Sequence, residues 1–173
     1  MKSIFLSAGH SITDPGAVGN GLKEADVAVE TRNLVSYYLT QWQVPHEVDG
    51  RFTENIPLAL AAKKARRHPL AVEFHCNAAG TPAARGCETL SAPDDMELGA
   101  KLCEAMAAAL GTKNRGAKPE NAGHHSRLAF VQAGGIIVEL FFITNPLDVE
   151  AYRAKKWLLA RGIAEVLAEA SAS

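Results

Sequence analysis

Four ionisable residues stand at positions where an alternating series of strands and helices would place reactive groups. His10 follows a short apolar run, residues 3–7, across one glycine; His75 ends a second run, residues 70–75; Glu139 lies inside a third, residues 134–142. In open α/β sheets, sites form outside the carboxyl ends of the strands, so residues distant in sequence can converge on one edge. Glu24 lies at the start of the first long helical pattern, just past the loop that holds His10, and can join them. Glu139 is flanked by Ile136, Ile137, Val138, Leu140, Phe141 and Phe142. A strand apolar on both faces is buried on both faces, and a carboxylate there needs a cation, a metal or a proton to offset its lost hydration. Two readings are open on these residues alone. One is a structural ion pair between Glu139 and a Lys or Arg, with each histidine an ordinary core or loop residue. The other is a metal site, since two His and one Glu form a known ligand set for catalytic zinc that leaves a fourth position for water.

The elements that must position these residues are legible as changes of hydrophobic period. Residues 3–7 read as a strand and residues 8–21 as a Gly-rich loop. From 22 to 42 the period becomes helical, with Val27, Leu34, Val35, Tyr38, Leu39 and Trp42 on one face until Pro45 stops it. Residues 46–48 read as a short strand, and residues 57–67 as a helix with Lys63, Lys64, Arg66 and Arg67 at the end where cations suit its dipole. A strand over 70–75 is followed by a loop over 77–85, a strand over 86–91, and a helix over 95–110. That helix carries Gly99, Leu102, Met106 and Leu110 on one stripe and ends at Gly111. Residues 112–126 read as a polar loop, 134–142 as the strongest strand, and Asn145-Pro146 as the cap and first position of a helix. A last helix is expected over 155–168, with a frayed tail from Ala170. The alternation predicts one α/β domain over 1–173, a mostly parallel or mixed sheet with helices on both faces, without an internal repeat or linker.

Composition narrows the function classes. The chain has 173 residues, 47% hydrophobic and 21% charged, which fits one folded domain and excludes a disordered chain. A formal net charge of -1 offers no basic surface for nucleic acid or an anionic membrane. Cys76, Cys87 and Cys103 are odd in number and form no C-x-x-C pair, so reduced thiols are expected. Alternation turns Cys76 away from His75 and into the core, whereas Glu73 shares the face of His75. The apolar run after Lys2 is too short for a signal peptide, and no stretch approaches a membrane span. The expectation is a soluble product made in the cytoplasm, without membrane insertion.

Four blocks, in order along nearly the whole chain, resemble the zinc-dependent N-acetylmuramoyl-L-alanine amidases often called amidase type 3. They are Ser7-Ala8-Gly9-His10 with Asp14-Pro15-Gly16-Ala17; Gly21-Leu22-Lys23-Glu24-Ala25; Phe74-His75-Cys76-Asn77 followed by Arg85-Gly86-Cys87-Glu88; and Ile137-Val138-Glu139-Leu140 through Asn145-Pro146. Lys113-Asn114-Arg115-Gly116 matches a weaker segment. The resemblance implies a sheet of about six strands and one Zn²⁺ held by His10, Glu24 and His75, with Glu139 as catalytic acid/base. It implies peptidoglycan as partner and the amide between N-acetylmuramic acid and L-alanine as the bond cut. Two residues depart from the family pattern: Ser11 stands where Gly is common, and Glu73 where Ser is common. Glu73 either orients a ligand or is a plain ion-paired glutamate; His124, His125 and Arg127 either line the groove or are solvated loop residues. The enzyme expected is a monomeric endolysin of a phage or prophage that acts on the wall after release. A peptidase cutting within the stem peptide and a non-catalytic wall-binding module are the competing readings. The first would leave L-alanine on the glycan, and the second requires a ligand or the base to be missing.

Overall fold

Strand β1 (Ile4–Ala8) is buried along its whole length. The structure is a computed structural model, and it describes residues 1–11, 13–122 and 127–173. Two short strands, β2 (Val18–Gly19) in the expected loop and β3 (Leu22–Lys23) at the expected start of the first helix, form an antiparallel hairpin. Asn20 and Gly21 both have positive φ, 48° and 76°, as a two-residue turn matching strand twist requires. This Asn-Gly signal was available in the sequence, and it moves the helix start from residue 22 to α1 (Glu24–Gln41). Strand β4 (His46–Val48) and helix α2 (Leu58–Ala65) follow, then the central strand β5 (Leu70–Asn77) and β6 (Cys87–Ser91). Helix α3 (Met96–Leu110) buries the expected stripe and ends at Gly111 in the left-handed conformation.

Strand β7 (Asn114–Pro119) corrects the expected polar loop. It is an edge strand paired only with β6, and its half-exposed residues carry no apolar run to mark it. Strand β8 (Ile136–Phe142) is nearly continuous core, and Asn145 caps α4 (Pro146–Ala172) by accepting from the Asp148 amide. The two helices expected after Asn145 are joined across a kink at Lys155, where φ is -131°. The tail is pinned rather than frayed: Ser171 is buried and its hydroxyl donates to the Lys2 carbonyl at 2.6 Å.

The six-stranded sheet has the order β4-β1-β5-β8-β6-β7. β4, β1, β5 and β8 are mutually parallel, while β6 and its parallel neighbour β7 run antiparallel to them. The result is a single α/β domain with a mixed sheet. Ile4, Leu6, Val72, Phe74, Val138 and Leu140 pack with α1, α3 and α4 on one face. Phe5, Ala71 and Ile137 pack with α2 and the 130–133 turn on the other. No helix among the described residues is long and apolar enough to cross a membrane.

Candidate metal centre

The carboxyl ends of β1, β5 and β8 open onto a cleft of about 610 Å³. Its floor holds His10, Glu24, Glu73, His75, Glu88 and Glu139; Ile56, Leu58, Leu128 and Phe130 form an apolar wall. In the sheet, His75 on β5 is registered with Glu139 on β8, and Glu139 with Glu88 on β6. Three ionisable side chains thus stand in one row across adjacent strands. Sequence reasoning had not assigned Glu88 to the site. Its place depends on β6 entering antiparallel, which brings that strand's first residues to the carboxyl end of β8.

His10 leaves β1 across Gly9, whose hydrogen side is filled by the His75 ring; a Cβ there would overlap His75 Cε1. The His10 backbone lies in the left-handed region, φ 63°, a conformation that costs about 1–3 kcal/mol for such a residue. Asn55 holds it there by donating from Nδ2 to the carbonyls of His10 and Ala8. Glu24, the first residue of α1, is buried and accepts from the backbone amides of Ala17 (2.9 Å) and Cys76 (3.0 Å). Those two amides aim its carboxylate between the imidazoles. His10 Nε2 lies 3.1 Å and His75 Nδ1 2.9 Å from Glu24 Oε1, and one ligand atom from each of the three residues falls within 4.8 Å of the others.

The remaining ring nitrogens meet carboxylates. His10 Nδ1 is 3.0 Å from Asp14 Oδ2, and His75 Nε2 is 3.1 Å from Glu73 Oε1. The Asp14 contact has a visible signal in its four-residue spacing from His10. Glu139 differs from all of these: its Oε2 is buried and, among the described residues, has no hydrogen-bond partner. Glu88 is already neutralised by Arg115 Nε at 2.5 Å and Lys118 Nζ at 2.7 Å.

Electrostatics sorts the carboxylates. Burial pushes the Glu139 carboxyl up to about 7, with the Glu24 charge adding to the rise and His75 opposing it. Burial acts the same way on Glu24 but is outweighed by hydrogen bonds from His10 and His75, which hold it well below its ordinary value. His75 is raised well above its ordinary value: burial opposes its charge, and the bonds to Glu24 and Glu73 overcome that opposition. Two His and a Glu with an adjacent unpartnered carboxylate fit a catalytic zinc centre.

The sequence of the chain matches the N-acetylmuramoyl-L-alanine amidase family model over residues 4–169. The chain belongs to the N-acetylmuramoyl-L-alanine amidase family. A solved Neisseria meningitidis protein assigned as such an amidase is 44% identical, with a TM-score of 0.91 over 98% of this chain and 95% of that one. The catalytic domain of CwlV, an amidase from Bacillus (Paenibacillus) polymyxa, has the same fold at 21% identity, with a TM-score of 0.85 over 98% of each chain. An endolysin of Bacillus phage SPP1 is 31% identical over 97% of this chain, which spans 65% of that protein's length.

The other expectations divide. Cys76 points into the core as alternation required, and burial pushes its thiol well up. Cys76, Cys87 and Cys103 are free thiols. Arg127 is exposed, outside the cleft lining, and donates to Gln132 Oε1 at 2.6 Å. His124 and His125 lie outside the described residues.

Proposed function

We propose that this amidase-family chain is a catalytic domain that hydrolyses the amide between the lactyl group of N-acetylmuramic acid and L-alanine of the stem peptide, using one Zn²⁺. The observation that carries the reading is the His10-Glu24-His75 cluster with Glu139, registered against His75, lining the same cleft. His10 Nε2, Glu24 Oε1 and His75 Nδ1 would hold the metal. When bound, zinc lowers the pKa of a water to roughly 7 and polarises a carbonyl. The Glu139 carboxylate accepts the proton of the attacking water and delivers it to the leaving amine. A carboxyl set in an apolar strand and registered against His75 is placed to do both. The apolar wall of Ile56, Leu58, Leu128 and Phe130 limits water around the scissile bond.

The SPP1 relative supports a role in bacterial lysis. Under that reading the chain is a monomer, is made in the cytoplasm and reaches peptidoglycan after release, without membrane insertion or nucleic-acid contact. The test is release of stem peptides from purified peptidoglycan, with chelator and then with added Zn²⁺. Stems bearing free L-alanine amines, lost with chelator and restored by zinc, are the expected products. Cuts inside the stem would replace this reading with a peptidase, and no release from zinc-loaded protein would overturn it in favour of a wall-binding module.

A further inference from the structure

The two imidazoles of the proposed metal centre are backed differently. Asp14, behind His10, has a side chain 66% exposed; Glu73, behind His75, is buried. Glu73 is also tied at both oxygens. Oε1 faces His75 Nε2 at 3.1 Å, and Oε2 accepts from Ser7 Oγ at 2.9 Å. Ser7 is its registered partner on β1, and the Ser7 hydroxyl lies 3.2 Å from Asp49 Oδ2 as well. Asp49 accepts from the Ala8 amide at 3.1 Å and from Arg32 Nη1 at 2.6 Å. Arg32 is completely buried and spends its remaining donors on the carbonyls of Glu54 and Phe52 and on Asn33. A continuous row, Arg32-Asp49-Ser7-Glu73-His75, buried as far as Glu73, therefore runs from α1 to the site.

We infer that Glu73 is a positioning residue for the metal centre: its carboxylate accepts a hydrogen bond from His75 Nε2–H, which leaves Nδ1 as the lone-pair nitrogen aimed at Glu24 and His10. The alternative tautomer would place a proton at the metal position and a lone pair against a carboxylate. A histidine ligand whose other nitrogen donates to a carboxylate is fixed in tautomer and orientation and made more basic, and losing such a partner commonly costs about 10- to 100-fold in metal affinity. Solvent screens the Asp14 contact, whereas the Ser7-Asp49-Arg32 row holds Glu73 in one geometry away from water. Glu73 is therefore the stronger support of the two.

This inference rests on the zinc reading above. Zn²⁺ affinity is measured by chelator competition on the wild-type chain, Glu73→Gln and Asp14→Asn, with thermal unfolding of each metal-free protein as a control. Glu73→Gln is expected to weaken Zn²⁺ binding by about 10- to 100-fold, and Asp14→Asn by less. Equal affinities for wild type and Glu73→Gln would overturn the inference and leave the metal centre standing; no Zn²⁺ binding by the wild type would overturn both. Side-chain ¹⁵N NMR of the zinc-loaded wild type reads the same point without a variant. His75 with its proton on Nε2 and metal on Nδ1 is expected, and metal on Nε2 would overturn the assignment even if Glu73→Gln failed to fold.

Discussion

Along β5, Val72, Phe74 and Cys76 point to one face of the sheet, and Ala71, Glu73 and His75 to the other. The first face meets α1, α3 and α4 and is apolar from end to end. The second is apolar only in its first half, where Phe5, Ala71 and Ile137 meet α2 and Phe130. In its second half it becomes Ser7, Glu73, His75 and Glu139. The first face has the larger apolar cover, whereas the second opens at the cleft and brings several ionisable side chains together there. Stability is therefore concentrated on the three-helix face, where burial needs no partner. The chemistry sits on the second face, where His10, Glu24, Glu73 and His75 are tied to one another and, among the described residues, Glu139 Oε2 is buried without a partner.

Variants on the two faces should separate these properties. The largest effect expected is on turnover: Glu139→Gln should lower amide cleavage by about 10²- to 10⁴-fold, the usual share of a general acid/base. Zinc content, measured by elemental analysis, should stay at the wild-type level; retained activity would remove Glu139 from its role. Next is the buried charge at the junction of the faces. Arg32→Met strands Asp49 without its cation, and denaturant unfolding should show a loss of about 3–5 kcal/mol. On the apolar face, Leu102→Ala should cost about 2–5 kcal/mol by the cavity it leaves, with turnover per folded molecule unchanged. A parallel fall in turnover would show that the faces are coupled.

A smaller effect is a dependence on pH confined to the site face. The folded chain keeps the Glu139 proton up to about 7, whereas an unfolded chain releases it near the ordinary value of 4.5. Between those values the folded state binds more protons, so this group's contribution to stability is present below pH 4.5 and is lost as pH rises through about 7. Metal-free Glu139→Gln, which has no proton to lose, should match wild type in acid and melt higher above neutrality. Added Zn²⁺ should erase the advantage, because a nearby dication favours the carboxylate. Equal melting curves at alkaline pH would sink this account of Glu139.

Much of this arrangement was legible before any coordinates. The apolar runs that became β1, β5 and β8 had to be strands of a covered sheet, and their order along the chain put His10, His75 and Glu139 at carboxyl ends. Asn145 as a cap, Gly111 as a helix end and Cys76 as a core residue follow from local chemistry, which needs only a few neighbouring residues to act. Strand β7 did not follow, because Asn114–Pro119 is polar and is extended only through pairing with β6. Nor did the kinked continuity of α4 through Lys155 or the burial of Ser171, which depend on distant segments meeting the chain end.

The site divides in the same way. The sequence by itself determined which residue types were present at the strand ends and that a carboxylate inside an apolar strand needed compensation. Tertiary structure alone decided that β6 enters antiparallel and sets Glu88 beside Glu139, that Glu73 meets the far nitrogen of His75, and that Arg32 is buried behind them. The physical reason is register. Periodicity along one strand specifies the face a side chain takes, but the partner across the gap is set by hydrogen bonds between strands far apart in sequence.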